Sequence, residues 1–106
     1  MTVAPLRGQV YRVDIGYGPK PWLIVSNNRR NRNLSGVLAA RITSTQKHIE
    51  LPTWVRLDNG DPLVGHINTD DVQQLERDEL GELLGCLTPG TLMRVNEALR
   101  LVFALP

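Results

Sequence analysis

The clearest element in this 106-residue chain is its last, and it constrains everything before it. Thr88 is an N-cap candidate, and Pro89 takes the first helical position, where a missing N–H costs nothing. Leu92, Val95, Leu99, Val102 and Phe103 follow at helical spacing and give the helix one apolar face. Gly90 weakens the first turn only slightly. The preceding segments have a different rhythm. Gln9–Ile15 alternates apolar and polar with a period near two, the mark of a half-buried strand. Trp22–Val25 is a short apolar run, Val37–Thr43 a third strand and Thr53–Leu57 a fourth. Pro62–Leu75 holds one or two more, and Arg77–Cys86 reads as a short helix followed by a strand. The turns between them are Gly16–Pro21, the polar loop Asn27–Gly36, the polar loop Ser44–His48 and Asp58–Asp61. Strands first and a helix last predict an α+β domain, a small antiparallel barrel with a helix packed on it.

At 106 residues the chain is one domain, and a chain of this size buries only about two-thirds of its unfolded surface. No apolar run approaches the roughly 18 residues of a membrane span. Met1–Arg7 has no long apolar stretch and does not read as a secretory signal, so the expected compartment is cytoplasmic. Cys86 is the single cysteine, which excludes an internal disulfide and a cysteine-based zinc cluster within one chain. In its apolar stretch it reads as a packed small hydrophobe. His48 and His66 are the only histidines, so few metal ligands are on offer, and His66 has no partner at metal-ligand spacing.

The net charge of +1 hides an asymmetry. Residues 1–56 hold nine Lys/Arg against two acids, a net of +7. Residues 57–106 hold three against nine, a net of −6. Segregated halves would make one face a phosphate-binding surface; interleaved halves would neutralise each other.

Several stretches, in this order and spacing, carry a family likeness. They are Arg7-Gly8-Gln9-Val10-Tyr11-Arg12-Val13-Asp14, Lys20-Pro21-Trp22-Leu23-Ile24-Val25-Ser26-Asn27 with Asn31-Arg32, Ile42-Thr43-Ser44-Thr45 leading to Leu51-Pro52-Thr53, and Asn96–Val102. Over nearly its whole length the chain resembles the MazF/PemK/Kid toxins of bacterial toxin–antitoxin systems. The resemblance implies an SH3-like barrel of the CcdB/PemK type with a C-terminal helix. It implies a homodimeric, metal-independent, cofactor-free endoribonuclease that cuts single-stranded RNA at short motifs. The chemistry would resemble that of ribonuclease A: a 2′-hydroxyl attacks the adjacent phosphate and leaves a cyclic phosphate. Such a reaction needs proton transfer and cationic or hydrogen-bonding groups around the phosphorane. The expected regulator is a cognate antitoxin whose disordered C-terminal segment folds onto the toxin.

The family's catalytic threonine maps onto Thr43. Its catalytic arginine maps onto Lys20, a departure that keeps the charge and loses the planar fork. The loop before it, Gly16–Pro19, is shorter than in relatives, and Tyr17 is the residue available to stack on a base or offer a hydroxyl. His66-Ile67-Asn68-Thr69-Asp70-Asp71 stands where the family has Gln-x-Arg-Thr-x-Asp, so Asp71, or Asp70 after a one-residue slip, is a general-base candidate. Asn27, Arg29, Arg30 and Arg32 supply donors and charge in one loop, and Ser44, Lys47 and His48 in another, suited to RNA contact. Trp54 reads either as a stacking residue or as a core or interface tryptophan.

For each of these the plainer alternative stays open: a solvated turn lysine at 20, a β-branched strand residue at 43, a capped turn at 70–71. Two other functions remain beside the ribonuclease. One is a CcdB-like gyrase inhibitor, although the tail Phe103-Ala104-Leu105-Pro106 lacks that family's Trp-Gly-Ile ending. The other is an inactive homologue that binds only antitoxin or RNA.

Overall fold

The computed structural model describes residues 3–106. Six strands, β1 (Gln9–Asp14), β2 (Pro19–Ile24), β3 (Gly36–Thr43), β4 (Trp54–Arg56), β5 (His66–Glu76) and β6 (Leu80–Cys86), form one antiparallel sheet in the order β4-β5-β3-β2-β1-β6. A short helix, α1 (Asn28–Asn33), joins β2 to β3. A 3₁₀ turn over Arg77–Glu79 joins β5 to β6, and α2 (Pro89–Phe103) ends the fold. The expected α+β class, antiparallel sheet and terminal helix are all present. The barrel does not close, because β4 and β6 remain edges.

Both faces of the sheet are buried. On one, Val10, Leu23, Ala40, Ile42, Val55 and Ile67 meet Val95 and Ala98 of α2. On the other, Val13, Trp22, Ile24, Val37, Ala39 and Leu75 pack together without any helical residue, with Tyr11, Ile15 and Leu80 against them. A bulge bends the sheet between β3 and β5. Ala40 pairs with Val72 but Arg41 pairs with Asn68, leaving Thr69-Asp70-Asp71 as extra residues in β5.

Three local expectations are corrected. Asn27–Gly36 is not all loop. The Asn27 side chain accepts the N–H groups of Arg29 and Arg30 as an N-cap, and fully buried Asn31 anchors α1 by bonding Ser26. Sequence polarity concealed a helix held by side-chain amides rather than by an apolar face. Pro19-Lys20-Pro21 belongs to β2 rather than to a turn, since β1 pairs with it throughout. Pro62–Leu75, read as holding one or two strands, holds one, which begins at His66 and runs on to Glu76. Cys86 is exposed on the edge strand, not packed.

The charged halves interleave. The acidic β5 lies between β4 and β3, and Arg12 of β1 stands 3.9 Å from Glu82 of the neighbouring β6. Arg7 is absorbed structurally, donating to the Val25 carbonyl at 2.9 Å and to Asn96 Oδ1 of α2 at 2.7 Å.

The start of α2 depends on an aspartate as well as on Thr88. Asp61 accepts the Thr88 N–H at 2.8 Å, the Thr91 hydroxyl at 2.6 Å and the Asp58 N–H at 2.7 Å. Burial works to raise its pKa, but the hydrogen bonds from Thr91, Thr88 and Asp58 outweigh it and hold the group below its ordinary value of 3.8. A depressed folded-state pKa contributes stability above the unfolded value, and that stability is lost as pH falls through the folded value. Asp61→Asn is therefore expected to cost on the order of 1–2 kcal/mol at pH 7, roughly 5–10 °C in Tm. The deficit should shrink as pH drops below about 4, where wild type loses the same charge. Thermal melts from pH 7 to pH 3 test this; a deficit constant across that range would refute the assignment.

Candidate active site

Two prolines shape the site. The β2–β3 ladder runs from Ile24–Ala39 to Trp22–Arg41 and stops there. Beyond it, Pro19 and Pro21 lie where β2 pairs with β1 alone, so the missing N–H groups break no bond to β3. Continuing the register would set Lys20 opposite Thr43, and where the ladder stops a cavity of about 290 Å³ opens between them. Lys20, Arg41, Thr43 and Ser44 line it, with Leu63 and Val64 of the β4–β5 connection, and none of its lining residues is acidic.

Strand alternation fixes which side chains share this face. Trp22 and Ala39 belong to the helix-free cluster, so Lys20, Arg41 and Thr43 project to that same side. Thr43 pairs with His66 of β5, which in turn pairs with Arg56 of β4. Cross-strand partners point the same way, so Lys20, Thr43, His66 and Arg56 form one row over four strands. Trp22, Arg41, Asn68 and Trp54 form the row beside it.

Thr43 Oγ1 accepts the Thr45 N–H at 3.2 Å, which leaves the hydroxyl proton free to donate. Gly65 permits the close approach of the β4–β5 connection. Its φ is +135°, and a Cβ there would lie 2.5 Å from the Thr43 carbonyl oxygen. A second cavity of about 790 Å³ shares Ser44, Leu63 and Val64 with the first and extends to Gln46, Arg56 and His66. The two make a continuous groove. His48 sits edge-on to the buried Trp54, ring centroids 5.5 Å apart, and Trp54 is 6.3 Å from His66. The tryptophan is thus both a core residue and the floor of a histidine-flanked edge.

Not every candidate reaches the groove. Asp70 Oδ2 accepts the Thr53 hydroxyl at 2.5 Å, and Asp71 Oδ1 accepts Gln73 Nε2 at 3.0 Å; neither lines the Lys20–Thr43 cavity. Tyr17 is 79% exposed in the turn just before Lys20. Lys47 and His48 follow Ser44 on an exposed loop. Asn27, Arg29, Arg30 and Arg32 lie by the Gly36 end of β3, seven residues and roughly 23 Å from Thr43. Asn27 is committed as a cap, and Arg30 donates to the Gly36 carbonyl at 3.1 Å. Arg41 and His66 are the neighbours that sequence reasoning missed. Arg41 stands two residues before Thr43 in the same strand, so strand parity alone would have placed it on the threonine's face. Among the described residues no group of three or more His, Cys, Asp and Glu side chains gathers to hold a metal ion.

A family model described as PemK-like, MazF-like toxin of type II toxin-antitoxin system matches residues 6–103. The chain is 54% identical, over 103 residues, to Endoribonuclease MazF1 of Mycobacterium bovis, covering 97% of this chain and 96% of that protein. It has the same identity and coverage with Endoribonuclease MazF4 of Mycobacterium tuberculosis. A solved mycobacterial endoribonuclease in complex with its cognate antitoxin superposes with a TM-score of 0.92 at 53% identity, over 97% of this chain and 98% of that one. A MazE–MazF structure from Deinococcus radiodurans superposes with a TM-score of 0.84 at 21% identity over 99% of this chain and 100% of that one, a likeness of fold alone.

Proposed function

As the chain belongs to the PemK-like, MazF-like family of toxins from type II toxin–antitoxin systems, we propose that it is an endoribonuclease whose chemistry is centred on Lys20 and Thr43. The observation that carries this reading is their placement on one cavity, opened where the β2–β3 ladder ends. That cavity joins a groove large enough for flanking nucleotides. In the reaction, the 2′-oxygen attacks phosphorus and its proton passes to water. The P–O5′ bond breaks, and the departing 5′-oxygen takes a proton from the Lys20 ammonium. The products are a 2′,3′-cyclic phosphate and a 5′-hydroxyl. The Thr43 hydroxyl donates to a phosphate oxygen as charge builds there. This step calls for no metal and assigns no role to Asp70 or Asp71.

Tyr17 stacks on a base at the mouth of the cavity, and Ser44, Lys47 and His48 hold the strand along the groove. The exposed apolar residues Met93, Leu101, Phe103 and Leu105 on and after α2 support association as a homodimer and with the C-terminal segment of a cognate antitoxin. No described helix is long and apolar enough to cross a membrane; we place the protein's action in the cytoplasm, where its RNA substrate resides.

The decisive test is cleavage of a long unstructured RNA in EDTA, with the product ends mapped. Cuts at short motifs leaving cyclic phosphate and 5′-hydroxyl ends are expected. Loss of cleavage on chelation, or 5′-phosphate ends, would overturn the mechanism.

A further inference from the structure

We propose that Arg41 grips the scissile phosphate through two parallel hydrogen bonds, supplying from β3 the planar contact that Lys20 cannot make from β2. The inference rests on reading the Lys20–Thr43 cavity as the ribonuclease centre and adds to it a third substrate-touching residue.

Four arginines of this chain, Arg7, Arg30, Arg41 and Arg77, are neither fully exposed nor fully buried. Three of them are spoken for. Arg7 donates to the Val25 carbonyl, Arg30 to the Gly36 carbonyl and Arg77 to the Asn31 carbonyl. The Arg41 side chain makes no hydrogen bond or ion pair with any described residue; its Nε is buried without a partner, as is that of Arg77, whose Nη2 is engaged by the Asn31 carbonyl. Shielding a guanidinium donor from water without pairing it is destabilising, by about 1–3 kcal/mol per group. Arg41 lines the cavity with no protein acceptor for its side chain, and an anion held there would supply one.

The surroundings specify an anion. Arg41 and Lys20 line the same cavity of about 290 Å³, with Thr43, two residues after Arg41 in β3, on the same face. No acidic side chain lines that cavity. Two cations brought together repel unless a negative group sits between them, and a phosphodiester fits both the charge and the space. Lysine offers a compact point charge with mobile donors, whereas arginine presents a rigid fork matched to two phosphate oxygens. The roles divide accordingly: Arg41 on the two non-bridging oxygens, where charge accumulates, and Lys20 on the leaving 5′-oxygen. Arg41 makes and breaks no covalent bond in the step.

Two measurements test this on the full chain. The first is single-turnover cleavage of an unstructured RNA in EDTA by wild type, Arg41→Ala, Arg41→Lys, Lys20→Ala and Thr43→Ala. Arg41→Ala is expected to lower the rate on the order of 10²-fold. Arg41→Lys keeps the charge and much of the aliphatic stem, and should remain at least about tenfold below wild type because the fork is lost. The second is the salt dependence of binding to a single-stranded RNA made uncleavable by 2′-deoxyribose at the mapped cleavage site. Loss of one neutralised phosphate should reduce the slope of log K against log salt by about 0.7 in Arg41→Ala, whereas Arg41→Lys, which keeps the charge, should retain it. A structural role for Arg41 would leave that slope unchanged. Cleavage by both Arg41 variants within threefold of wild type, or an unchanged slope in Arg41→Ala, would overturn the proposal. If Lys20→Ala and Thr43→Ala also cleave normally, the reading of the cavity itself fails, and the binding slope still decides whether Arg41 touches phosphate.

Discussion

Lys20→Ala and Thr43→Ala should each lower RNA cleavage by on the order of 10²–10³-fold while barely changing the melting temperature. The range is the usual one for removing a single group that stabilises developing charge in a transition state. Both side chains are partly exposed and belong to neither buried cluster, so their truncation should stay within about 0.5 kcal/mol in stability. Lys20→Arg should behave differently from alanine, because it restores both charge and fork at that position. Asp70→Asn and Asp71→Asn should cleave within a few-fold of wild type, since their carboxylates are engaged by Thr53 and Gln73 away from the cavity. Rates measured on one unstructured RNA, beside melts of the same preparations, test the whole set. Full activity in Lys20→Ala would move the phosphate-stabilising role elsewhere. A large loss in either asparagine variant would bring a carboxylate back into the mechanism.

Gly65→Ala should damage both stability and activity, although residue 65 has no side chain to contribute. Its φ of +135° is a conformation that L side chains rarely adopt. The added Cβ would stand 2.5 Å from the Thr43 carbonyl oxygen, and that neighbour is backbone, which cannot swing aside. Strain at such a position costs about 1–3 kcal/mol, with roughly 4–8 °C of Tm per kcal/mol in a domain of this size. Any relief must come from moving the β4–β5 connection or the end of β3. The first shifts Leu63 and Val64 in the cavity wall and the second shifts Thr43 itself, and a misplacement of about 1 Å costs on the order of 10²-fold in rate. The combination is diagnostic. An Asp61→Asn variant, whose defect lies at the start of α2 and outside the Lys20–Thr43 cavity, should lose stability and keep its single-turnover rate at saturating RNA at temperatures where it is folded. Gly65→Ala should lose rate even when fully folded. A Gly65→Ala protein with wild-type Tm and full cleavage would show that the close approach at Thr43 does not matter.

Much of this protein could be read along the chain, because the signals involved are local. The Thr88 cap with Pro89, and the apolar spacing through Phe103, specify α2 within consecutive turns. Alternation over Gln9–Asp14 and the run Val37–Thr43 specify β1 and β3 as strands with a definite inner face. The ordered motifs from Arg7 to Val102 carried the family, and with it the position of Thr43. Where reading failed, the deciding partner was distant or unusual. Pro19 and Pro21 are punctuation in a sequence, yet β1 holds them in a strand. The Asn/Arg-rich segment looked like a loop because its anchor is Asn31 bonded to Ser26, not an apolar face.

The division follows from the range of the forces. Periodicity, caps and motif order act within a few residues, so α2, the strand-rich body and the candidacy of Lys20 and Thr43 were written in the residues themselves. The cavity was not, because it exists only where β2, β3 and the β4–β5 connection, from separate parts of the chain, meet and one ladder stops. The same holds for the isolation of Asp70 and Asp71, the interleaving of the +7 and −6 halves, and the unpaired guanidinium of Arg41. Each depends on which strands lie side by side, and that is set by burying two apolar faces at once rather than by any single segment.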